Sequence, residues 1–163
     1  MKAHLALALV AGLLLTGCSA YRLGAGNAET RSVEIRPVRN ATPTPGVHAP
    51  LQQALVAALS ADPRLRVRAG GETLDTEVIS LERTAASRSP EDALITGQFR
   101  VTLTVRCTLR SADGKQVRFA NRPFSASAIL GAAGNLAGEE RGVLPRLSAE
   151  LAAQIRDAAA GAW

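Results

Sequence analysis

The chain has 163 residues, room for one domain and not comfortably for two. At 47% hydrophobic and 20% charged it is neither a disordered chain nor an unbroken membrane protein. Aromatics at 3% argue against a stacking platform for bases or sugars, and two His and two Cys leave little for a metal centre, a disulfide scaffold or thiol redox chemistry, so no cofactor is expected. Lys+Arg is 19 against 14 acids, a formal charge of +5, and 17 of those 19 basic residues are arginine. Arginine binds carboxylate and phosphate bidentately, which suits an anionic partner, although codon preference in a GC-rich genome accounts for the larger share of the bias.

Lys2 precedes an apolar run from Leu5 to Leu15. Eleven residues rise only about 16 Å as a helix, short of the roughly 30 Å hydrocarbon core. The run reads as the apolar core of a signal peptide, residues 1–17, and not as a spanning helix. It ends in Leu15-Thr16-Gly17-Cys18, which resembles the bacterial lipobox. That resemblance implies diacylglycerol transfer to the Cys18 thiol, cleavage after Gly17 and acylation of the new amine. Two or three acyl chains anchor stably where one does not. Ser19 follows, not the Asp that marks inner-membrane retention, so the expected location is the periplasmic side of the outer membrane. With Cys18 consumed by lipid, Cys107 stands alone and forms no disulfide within the mature chain.

Residues 18–30 hold Gly24 and Gly26 without a sustained period and read as a tether to a single domain, 31–163. Ser32 to Asn40 predicts a short strand ended near Pro37, and Asn40 to Pro50 a loop. Pro50 opens an amphipathic helix with Leu51, Leu55 and Leu59 on one stripe, ended by Asp62-Pro63. Leu65, Val67 and Ala69 alternate with three arginines as a short strand before the turn Gly70-Gly71. Leu74 to Arg83 reads as a strand of mixed pattern and Ala85 to Ala93 as a polar loop. Phe99 to Leu109 alternates strictly, one face for a core and one for solvent. Asp113-Gly114 is a hairpin turn, and the partner strand runs from about Lys115 to Ile129 with a bulge or edge position near Arg122-Pro123. Gly131 to Gly138 reads as a flexible loop. The last helix starts near Leu144, with Pro145 in its first turn and any turn over Glu139–Val143 separate or kinked. The order β-α-β-β-β-β-α predicts an α+β two-layer sandwich: a mixed, mostly antiparallel sheet with two helices packed on one face.

No catalytic constellation emerges. His48, the lone histidine after residue 17, sits in a Pro/Gly loop and reads as a solvated residue sooner than as part of a triad. Cys107 lies in the apolar register of the clearest strand, where a small buried hydrophobe is favoured over a nucleophile. Asp75 and Glu77 share a strand face and could mimic paired carboxylates, but cross-strand pairing with arginines is the commoner reading. Gly24-Ala25-Gly26 is no phosphate loop, because no strand precedes it and no helix follows. What remains is a set of arginines. Arg100, Arg106 and Arg110 line one strand face, Arg118 and Arg122 lie in the adjoining strand and Arg88 in the preceding loop. They form either a solvated face or an anion-recognising surface. Outside the cytoplasm nucleic acid is no candidate, which leaves lipid phosphates or acidic protein.

The order and spacing of these segments resemble the LptE family, the lipopolysaccharide-assembly lipoproteins of the outer-membrane translocon. The features that carry it are Cys18 closely followed by Tyr21-Arg22-Leu23, the strand Val33 to Thr42, the Leu/Ala helix, and Leu74-Asp75-Thr76-Glu77-Val78. The Thr/Val strand Phe99 to Leu109, Asp113-Gly114-Lys115 and the C-terminal helix complete it. The resemblance implies a non-enzymatic lipoprotein that plugs a large β-barrel partner, LptD, and binds lipopolysaccharide (LPS). It implies that basic residues near the hairpin loops hold LPS phosphates. Arg88 and Arg122 match best by position, with Arg100 and Arg106 beside them. The loop before the last helix departs from that pattern, with Glu139 and Glu140 before its first basic residue, Arg141. The alternative is a lipoprotein that activates a periplasmic enzyme such as a penicillin-binding protein. The 13-residue tether reaches at most about 45 Å, which favours a partner at the membrane.

Overall fold

The strict alternation of residues 98–110 becomes a long strand with a neighbour on each side, one in from the edge of the sheet. A computed structural model describes residues 30–88, 96–131 and 136–161. Its strands are β1 (Arg31–Ile35), β2 (Arg39–Asn40), β3 (Leu65–Val67), β4 (Glu72–Arg88), β5 (Thr96–Arg110) and β6 (Val117–Gly131), and its helices α1 (His48–Ala61) and α2 (Leu136–Ala160). The strand order is β3-β1-β4-β5-β6, with β2 also on β4. The short pairings of β1 and β2 are parallel, and the long β4–β5 and β5–β6 ladders are antiparallel. This is the predicted α+β architecture, with one two-residue strand added after Pro37.

Leu103, Val105 and Cys107 of β5 bury against Leu51, Leu55 and Leu59 of α1 and Leu147, Leu151 and Ile155 of α2 in one core. Both helices therefore cover the same sheet face. Asp62 ends α1 as expected: its carboxylate accepts bonds from the Arg64 backbone N–H and guanidinium at 2.8–3.0 Å. Gly114, with φ 72°, turns the β5–β6 hairpin.

The mixed pattern of β4 has a cause. A register shift between Val78 and Ser80 leaves Ile79 as a bulge, so Leu74, Thr76 and Val78 face the core before it and Leu81 after it. A second bulge lies in β6. Cys107 pairs with Arg122 but Leu109 with Phe119, and the intervening Asn121 has φ 50°. Its N–H donates to Thr108 Oγ1 at 3.0 Å. The irregularity expected near Arg122-Pro123 thus sits one residue earlier.

Three expectations need correction. Ala85 to Arg88 is not loop but the end of β4, paired with β5 as far as Thr96. α1 begins two residues before Pro50. The last helix begins at Leu136, inside the segment read as a loop, and carries Pro145 in its interior. Pro145 is exposed, and its ring removes one backbone donor from the helix there. The signal segment, Gly17, Cys18 and the tether lie outside the described residues.

Candidate functional site

The sheet face away from the helices carries the ion pairs of Asp75 and Glu77. Asp75 and Glu77 point there from β4, because Leu74, Thr76 and Val78 take the core side. Asp75 meets Arg110 at 2.8 Å and Arg36 at 3.7 Å. Glu77 meets Arg106 at 2.6 Å and Arg39 at 3.9 Å. The bond from Arg106 holds the Glu77 carboxyl below the usual range, aided by Arg39. The carboxylates that could mimic an acid–base pair are thus cross-strand partners of arginine. Arg100 stands farther along the same face of β5, opposite Thr84 and Ile129, with no ion-pair partner among the described residues.

Arg122 lies on the other face. Its register partner Cys107 is a core residue, and its guanidinium rests 5.3 Å from the ring centre of Phe124 and 6.0 Å from that of Phe119. The two rings meet edge to face at 6.4 Å. No carboxylate is paired with Arg122 among the described residues, so its charge is left to the two rings and to solvent. Arg118, expected near it, instead bonds the buried Glu72, which also pairs with Arg31. Arg88 ends β4 opposite Thr96. Cys107 lies eleven steps along β5 from Thr96, so the strand positions of Arg88 and Arg122 stand about 36 Å apart along the sheet. The candidate arginines therefore do not form one site. Arg100 and Arg106 share a face, Arg122 sits on the opposite face near one end, and Arg88 marks the other end.

His48 is exposed at the start of α1, beside a groove lined by Ile35, Pro37 and Val38. Cys107 is fully buried, and desolvation pushes its thiol up to about 11 against a weak bond from Thr76. Nucleophile and base are therefore not brought together. The arrangement offers ordered guanidinium groups on a rigid sheet, which is binding chemistry.

The sequence pattern of the LptE lipopolysaccharide-assembly family matches residues 30–159. The chain belongs to this family. The match spans every element of the LptE-like fold described above except the last helical residue. Solved structures share the fold at low identity. A hypothetical protein of Chlamydia trachomatis superposes with TM-score 0.61 at 11% identity, covering 82% of this chain and 97% of its own. An uncharacterized lipoprotein B of Nitrosomonas europaea gives 0.54 at 16%, covering 83% and 87%. A minor lipoprotein of Acinetobacter baumannii gives 0.50 at 12%, covering 80% and 93%. No curated protein matches. Among the described residues no helix is long and apolar enough to cross a membrane.

The position of Arg122 over Phe119 and Phe124 is the feature that sequence reasoning missed. Phe119 and Phe124 flank it in the chain, but only the bulge brings both rings to one guanidinium.

Proposed function

We propose that this protein is an outer-membrane lipoprotein, anchored through acylated Cys18 after cleavage behind Gly17, that assembles with the LptD β-barrel as its plug and binds LPS for insertion into the outer leaflet. The observation that carries this reading is the LptE family match over residues 30–159. The role is assembly and binding, with no chemical step. Arg88, Arg100, Arg106 and Arg122 are the candidates for LPS phosphates. Arg122 is favoured first, because it is exposed, has no carboxylate partner among the described residues and rests beside two rings that favour a cation there. Arg106 has part of its donor set spent on Glu77.

Affinity isolation of the acylated protein from membranes tests the reading. A co-purifying β-barrel and retained LPS are the expected result. A co-purifying cell-wall synthase without a barrel would overturn it in favour of an enzyme activator.

A further inference from the structure

We propose that the helix-free face of the sheet is the surface that seats against the barrel, through two rows of arginines that meet acidic protein groups. This rests on the plug reading above and adds where the contact lies and with what chemistry. The rows are Arg36–Asp75–Arg110 and Arg39–Glu77–Arg106. Each carboxylate is shared by two arginines, so the cluster keeps a surplus of two positive charges. The carboxylates also lie beneath the arginines. Asp75 and Glu77 are 23% and 21% exposed, whereas Arg110 and Arg106 are each 46%, Arg36 56% and Arg39 71%. A partner approaching this face therefore meets guanidinium groups, each steadied from below and each with N–H donors left over.

Spacing and surroundings point to protein sooner than lipid. Asp75 and Glu77 are two residues apart on one strand, so the rows repeat at roughly 7 Å, the repeat of same-side residues on another strand. Around the rows β5 carries Thr102 and Thr104 and β6 carries Ser125. The exposed large apolar residues, Val56, Ile79, Val117 and Ile129, are scattered singly, so this face has no apolar shelf for acyl chains among the described residues. Acidic side chains on a β-barrel wall are the occupant that fits.

The test is Arg36→Glu with Arg39→Glu in the full acylated chain, co-expressed with the barrel. These two make the longest contacts to the carboxylates and are the most exposed, so the urea midpoint should hold. Barrel retention should fall at least about tenfold, and wild-type retention should itself weaken as salt rises. LPS retention should not change. Arg36→Gln with Arg39→Gln, which adds no like charge beside Asp75 and Glu77, should give a smaller loss in the same direction and covers the case in which the Glu variant misfolds. Wild-type barrel retention by a folded variant overturns the assignment of this face. Loss of LPS together with barrel in a folded variant overturns the choice of protein over lipid. A wild-type chain that retains no barrel sinks the plug reading instead.

Discussion

Gly71 lies directly against the backbone of Ser32: a Cβ on Gly71 would stand 2.4 Å from the Ser32 carbonyl oxygen and 2.5 Å from its carbon. This contact lets the chain leave the Gly70 turn and enter β4 alongside β1. Gly71→Ala must push β1 off the start of β4, and no flexible side chain is there to yield. The expected cost is at least about 2 kcal/mol, read as a lowered urea midpoint with unchanged slope. Gly142→Ala is the control. That position on α2 has open space and no positive φ, so alanine should be neutral or stabilise by up to about 1 kcal/mol. Equal midpoints for the two variants would refute the close-contact argument.

Asp62 gives a pH dependence of known sign. Its bonds from the Arg64 guanidinium, then from the Arg64 backbone, hold the carboxyl at about 2 despite burial. A carboxyl depressed in the folded state contributes stability that is present above its unfolded value near 4 and is lost as pH falls toward 2. The half-exposed arginine screens the pair, so about 1–2 kcal/mol is expected. Asp62→Asn should remove that increment above pH 4 and leave the two proteins nearly equal in stability near pH 2. A constant difference between their urea midpoints from pH 6 to pH 2 would contradict the assignment.

Cys107 should be chemically silent in the native protein. Its thiol is buried and titrates near 11, so little thiolate exists at pH 8. In a Cys18→Ala background, alkylation by iodoacetamide at pH 8 should be at least about a hundredfold slower than in urea. Fast native labelling would mean that the β5–β6 ladder opens locally or that the core is looser than described.

What could be read ahead of the structure was whatever a single element decides by itself. Phe99 to Leu109 alternates because β5 has neighbours on both sides and a helix layer on one face, and that pattern survives intact in the chain. The Asp62-Pro63 stop and the Asp113-Gly114 turn are local chemistry and stand where expected. Ala85 to Arg88 carries no alternation, and only pairing with β5 makes it strand. The bulge at Ile79 was hidden for a related reason, whereas Pro123 betrayed the one at Asn121 to within a residue or two. A one-residue insertion reverses the face assignment of everything beyond it, and only the partner strand reveals the slip. The candidate arginines suffered most. Counted along the strands they looked like one patch, but Arg122 belongs to the core-side register of Cys107 and Arg88 to the far end of the ladder.

That separation makes the last prediction quantitative. If Arg88 and Arg122 both bind LPS, they act on different phosphates or different LPS molecules, because about 36 Å lies between their strand positions. Arg122→Glu alone should weaken LPS retention about tenfold to a hundredfold, the loss of one arginine held on phosphate at about 1.5–3 kcal/mol. Arg122→Lys should recover only part of it: an ammonium keeps the charge but lacks the guanidinium's planar fork of donors and its fit beside Phe119 and Phe124. With Arg88→Glu added, the two losses should sum to within about 0.5 kcal/mol, as for sites that share no partner. The measurement is LPS retained by the purified protein at two salt concentrations, for wild type, both single variants and the double. Strong coupling between the two positions would mean that one LPS bridges the ends of the sheet. Full retention by Arg122→Glu at low salt would remove this arginine from the binding surface and leave its contact with the two rings as packing alone.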